Sequence, residues 1–158
     1  MKITSSIYLV GGSSESHPAD AAVYLVKTGE GAVLIDAGTG GGTQRIVKNI
    51  QAAGSDITAV SHLFVTHCHY DHTGGVNDVR RLCGCAVIAH TPDADYLEAG
   101  EQAVTAALWY GSAIEPTPVD IKVSEPERSF DIEGTVFTMH HTPGHSPGSA
   151  VITVRSDG

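Results

Sequence analysis

The period of apolar and polar positions changes several times along the chain, and each change marks an element. Residues 3–10 predict a first strand. Residues 23–28 and 32–36 are rich in β-branched side chains and flank Gly29-Glu30-Gly31, which predicts two strands joined by a glycine turn. From residue 43 to 53 the spacing becomes helical, with Ile46, Val47, Ile50 and Ala53 on one stripe and Gly54 just past the end as a stop. A buried strand follows at 62–66, then a helix over 76–82 and a short strand over 86–89. Thr91-Pro92-Asp93 predicts the start of another helix, with Thr91 as cap and Pro92 in the first turn, and apolar positions carry it on to about Trp109. Pro116, Pro118 and Pro126 mark a loop holding one strand, 119–123. Residues 130–140 read as two strands around a hairpin turn at Glu133-Gly134, and 150–154 as a last apolar strand. Strands interleaved with helices predict a layered α/β (α+β) domain.

Composition narrows the partners. The 158 residues, 41% of them hydrophobic, suffice for one domain with a substantial core. A net charge of -9 without a basic run argues against nucleic acid or an anionic membrane surface, which leaves a small-molecule substrate as the expected partner. The first ten residues carry one lysine and too short an apolar run for a secretory signal, and no later stretch is long enough to span a bilayer, so a cytoplasmic location is expected. Cys68, Cys83 and Cys85 are odd in number, and the last two are too close for an easy disulfide, so reduced, buried thiols are expected.

The chemistry concentrates after the strand at 62–66. His67, His69, Asp71 and His72 fall within six residues and are followed by Gly74-Gly75. Alternation at a strand end puts His67 and His69 on one face, and a turn can bring Asp71 and His72 beside them. Gathering these groups costs desolvation and charge crowding unless a cation takes them up, so the cluster reads as a metal site. Cys68 and Tyr70 then point away from the metal. A further imidazole, His145, sits in Thr142-Pro143-Gly144-His145-Ser146-Pro147-Gly148, whose prolines and glycines make a rigid turn able to aim a ligand brought from a distant part of the chain. His17, His62, His140 and His141 read as ordinary structural or surface histidines. His90 could reach the rim of a cleft or simply precede a helix. Asp36 is either a turn former or a carboxylate that holds a ligand imidazole. The glycine-rich stretch 38–42 lacks the Gly-Lys-Ser/Thr ending of a phosphate loop and reads as a flexible turn. Asp157-Gly158 is a hairpin signal whose partner strand would come next, leaving 150–154 an open edge. The chain is therefore expected to be the front part of a longer domain, or a unit completed by another chain or by a homo-oligomer.

Taken together, His67-x-His69-x-Asp71-His72 and Thr142-Pro143-Gly144-His145 resemble the metallo-β-lactamase superfamily, and within it the glyoxalase II-like hydrolases. The likeness runs from the opening strands through Leu34-Ile35-Asp36-Ala37-Gly38 to His145. It implies a four-layered αββα sandwich with a di-metal cleft at one edge of the sheets. By this resemblance His67, His69 and His145 bind one metal and Asp71 and His72 a second; zinc is expected at both, with iron or manganese as alternatives. It also implies a bridging aspartate one strand beyond the Pro-Gly-His loop and a later histidine, neither of which falls within these residues, so the second site is half furnished here. The implied activity is hydrolysis of an ester, thioester or lactone by metal-bound hydroxide, with Asp71 both ligand and catalytic proton acceptor. The alternatives are a mononuclear iron enzyme resembling persulfide dioxygenases, and an inactive metal-binding fragment.

Overall fold

Ala32 and Leu34 point to one side of their strand, Val33 and Ile35 to the other, and all four are buried, so that strand must be covered on both faces. In a computed structural model that describes residues 1–156, it is β3 (Ala32–Ile35). It lies inside a six-stranded sheet ordered β1 (Ile7–Gly11), β2 (Val23–Lys27), β3, β4 (Val60–Phe64), β5 (Ala86–His90) and β6 (Ile121–Val123). The first three strands pair antiparallel; β3 to β6 run parallel. Three antiparallel strands, β7 (Glu127–Ile132), β8 (Thr135–His141) and β9 (Ala150–Ser156), form a second sheet.

Helices α1 (Thr43–Ala52), α3 (Val76–Cys83) and α4 (Thr91–Ala99) cover one face of the large sheet, burying Ile46, Ile50, Val76, Val79 and Leu97 against Leu25, Leu34 and Leu63. The other face packs on the second sheet, where Phe64 meets Phe137 and Phe130 at ring-centroid distances of 5.4 Å each. The result is an α-β-β layering, as the αββα sandwich requires. The outer face of the second sheet, with Ser129, Asp131, Val151 and Thr153, is exposed among the described residues.

The Glu133-Gly134 turn forms as the sequence predicts, with both residues at positive φ (52° and 79°). The Glu133 carboxylate then accepts hydrogen bonds from the Thr28 hydroxyl (2.7 Å) and from the amides of Glu30 (3.0 Å) and Gly31 (2.8 Å), which ties the two sheets together.

Several boundaries depart from the sequence reading; the strand expected at 62–66 is Val60–Phe64, and that expected at 119–123 is Ile121–Val123. The first strand begins at Ile7, because residues 3–6 close a turn in which the Ile7 amide donates to the Thr4 hydroxyl. The second sheet starts earlier than expected, at Glu127. The helix expected to reach Trp109 stops at Ala99, where Gly100 takes φ +64° and donates back to Leu97. Only a short 3-10 turn, Ala107–Tyr110, follows. Nor does Thr91 cap this helix: His90 holds the capping position and the Thr91 hydroxyl donates to the Val123 carbonyl (3.0 Å). The Asp157-Gly158 turn lies outside the described residues.

Candidate metal centre

Parallel strands deliver their ends to one level, so Asp36 after β3 and the histidine segment after β4 emerge side by side. The Val65 amide still donates to Ile88 of β5, which carries the segment one residue beyond its strand before it turns. A single helical turn, α2 (Tyr70–Thr73), then brings Asp71 and His72 round, anchored by the Thr73 hydroxyl on the carbonyls of Cys68 (3.1 Å) and His69 (2.9 Å). The glycine pair allows this: a Cβ on Gly74 or Gly75 would collide with the backbone of Thr39 or Ala37. From the other sheet, the Ala150 amide donates to the Thr66 carbonyl (2.8 Å) and docks the β8–β9 loop, with His145, against the same spot.

His67, His69 and His145 converge, each offering a ring nitrogen within 4.8 Å of the others. Their ring centroids are 4.5 to 4.8 Å apart. His67 is buried and engages Thr66 through Nδ1 (3.1 Å), but its buried Nε2 has no hydrogen-bond partner. An orphaned buried nitrogen costs about 1–3 kcal/mol unless something binds it. Burial, together with the neighbouring imidazoles, pushes His67 down to about 4, and burial followed by His145 lowers His69, so both rings are held neutral near pH 7, as metal ligands must be. This donor set suits a borderline cation such as zinc.

The second pair lies alongside. The His72 ring is 4.1 Å from that of His67, and the Asp71 carboxylate is 3.8 Å from His72 Nε2. His72 Nδ1 donates to Asp36 Oδ2 (2.7 Å), leaving Nε2 to face the cleft. Burial lowers the His72 pKa, yet the hydrogen bond and charge of Asp36, with the charge of Asp71, outweigh it and the net direction is up. Asp36 also accepts the Thr66 amide (2.9 Å) and hydroxyl (2.7 Å), and holds φ at +62°. Asp36 therefore both turns the chain and orients the His72 imidazole.

The remaining candidates fall around this centre. Cys68 is fully buried facing the fold, as expected, and Tyr70 packs toward Tyr110, their ring centroids 5.6 Å apart. His90 is buried and stacks on His141 at 3.7 Å. His140 bonds Thr153 (2.9 Å) and approaches Glu127, while His17 is exposed. The glycine-rich stretch is a fixed turn: Asp20 accepts both the Thr39 amide (2.9 Å) and hydroxyl (2.6 Å). Sequence reasoning overlooked Asp20 and Asp93. Asp93 shares the inward face of α4 with Ala94 and Leu97, but no local pattern points to its distant partners.

Residues 18–158 match the family model of the metallo-beta-lactamase superfamily. The chain belongs to that superfamily. Over 129 residues it is 30% identical to a protein of Methanocaldococcus jannaschii described as a probable metallo-hydrolase, covering 82% of this chain and 60% of that one. Over 126 residues it is 32% identical to an atrochrysone carboxyl ACP thioesterase of Aspergillus fumigatus, covering 78% of this chain and 24% of that protein. The subclass B3 metallo-beta-lactamase BJP-1 of Bradyrhizobium japonicum superimposes with a TM-score of 0.85 at 30% identity, over 100% of this chain and 57% of that one. The chain thus spans at most about 60% of these superfamily relatives' length. No helix among the described residues is long and apolar enough to cross a membrane.

Proposed function

We propose that this superfamily chain contributes the metal centre of a hydrolase that cleaves a small ester, thioester or lactone, in the manner of the glyoxalase II-like enzymes. The carrying observation is the meeting of His67, His69 and His145, from two separate loops, around an unpartnered buried nitrogen. His67, His69 and His145 would hold one ion, and Asp71 and His72 would contribute to holding a second, with zinc the expected metal. When bound, such an ion supplies Lewis acidity, activating water and polarising an acyl carbonyl. The chain does the rest. Asp36 keeps His72 in the tautomer whose Nε2 is free, and Asp71, half-buried at the cleft, accepts the proton that the attacking water must lose. The similarity to a named thioesterase favours acyl thioesters among the candidate substrates.

The test is an assay of the zinc-loaded full-length protein on a panel of acyl thioesters, esters and lactones, with Asp71→Ala beside it. Turnover that is lost on chelation and falls about 100-fold or more in the variant is the expected result. Full activity in Asp71→Ala would refute the role given to that carboxylate. Iron as the bound metal, with oxygen uptake on a persulfide, would refute the hydrolase reading.

A further inference from the structure

Asp93 is wholly buried in the first turn of α4, and no lysine or arginine pairs with it among the described residues. Its carboxylate instead collects three neutral donors. Oδ2 accepts the amide of Cys68 (2.8 Å), the residue between His67 and His69, and the hydroxyl of Ser146 (2.5 Å), the residue after His145. Oδ1 accepts the amide of Gly148 (2.6 Å). The Ser146 hydroxyl is itself braced by Ser149 at 2.7 Å, and a Cβ on Gly148 would collide with Asp93, so the loop lies directly on the carboxylate. No other side chain among the described residues hydrogen-bonds both histidine loops.

We propose that Asp93 is a positioning residue for the metal centre, the side chain that sets where His145 stands relative to His67 and His69. His145 is exposed and its neighbours Pro143, Gly144 and Pro147 are exposed too, so apolar packing does little to fix this loop. Its placement falls to hydrogen bonds, and those converge on Asp93 from Cys68, between His67 and His69, and from Ser146 and Gly148, one and three residues after His145. A carboxylate is required because every partner is a donor. An asparagine of the same shape offers one oxygen and one NH2, so one side of the clamp would face donor against donor. The inference rests on reading the three histidines as metal ligands.

Zinc affinity, read by competition with a chromophoric chelator, and the visible spectrum of the cobalt-substituted full-length protein together test it. The variants are Asp93→Asn and Ser146→Ala, the second keeping the carboxylate and removing one donor. Asp93→Asn is expected to weaken zinc binding by about 10- to 100-fold and to alter the cobalt bands, with Ser146→Ala changing both in the same direction by less. If Asp93→Asn does not fold, Ser146→Ala decides alone. Zinc affinities within twofold of wild type and unchanged cobalt bands, even with a lowered melting temperature, would reduce Asp93 to a structural role and overturn the proposal. Failure of the wild-type protein to bind zinc or cobalt would instead overturn the reading of the centre itself.

Discussion

Asp36 shows how much can rest on one side chain. It satisfies the Thr66 amide and hydroxyl and His72 Nδ1 while holding a left-handed backbone that costs most residues about 1–3 kcal/mol. Replacing it by alanine leaves three part-buried donors unpaired, so Asp36→Ala should lower stability in urea by at least about 2 kcal/mol. A change of a few tenths would show that water satisfies them. The thiols behave differently from one another. Cys68 is pushed up to about 12 by burial and by Asp93, whereas the Cys85 thiol and amide hold the half-buried Cys83 below the ordinary thiol value. Iodoacetamide should therefore label Cys83 first in the native protein, at a rate that rises with pH through a midpoint below that of a free thiol; peptide mapping that finds Cys68 labelled first would contradict this. At this scale the candidate metal cluster was legible because four of its residues lie within six positions. Asp93 was not, because its partners lie 25 to 55 residues away and only the fold brings them together.

Elements were legible wherever the polar pattern kept one period. The helix at 43 and the Glu133-Gly134 hairpin formed where expected, since both carry local signals, a stripe with a glycine stop and a positive-φ turn. The overextended α4 failed for an identifiable reason: apolar residues continue past Gly100, but the left-handed glycine had already ended the helix. Leu108 and Trp109 consequently stand 64% and 89% exposed on a short turn and are not on a buried helix face. Trp109→Ala should shift stability by no more than about 0.5 kcal/mol in thermal unfolding, and a loss of 2 kcal/mol would restore the longer helix. The Glu133 latch carries its own pH signature. Hydrogen bonds from Thr28, Gly31 and Glu30 depress the Glu133 pKa, so its contribution is complete above the unfolded carboxylate value and fades as pH falls through the lower folded one. Glu133→Ala should thus narrow the stability difference from wild type as the solution is acidified; a difference that stays constant down to pH 2 would mean that the latch holds by something other than the charge.

For the whole molecule, the layering could be anticipated from strands interleaved with helices, but the sheet order could not. The β3–β4–β5–β6 pairing is parallel and relies on crossovers, which leave no mark in the residues that pair. That pairing, and the docking of the second sheet through Ala150 on Thr66, create the centre by setting two loops against each other. The most direct test of this account is calorimetric zinc titration of the full-length protein beside His145→Ala. The account predicts that removing this one imidazole, contributed from the other sheet, weakens zinc binding by about 100-fold or more while the variant stays folded. Equal zinc affinity in the two proteins would contradict it, since His67 and His69 would then be binding the ion without the loop that the fold brings to them.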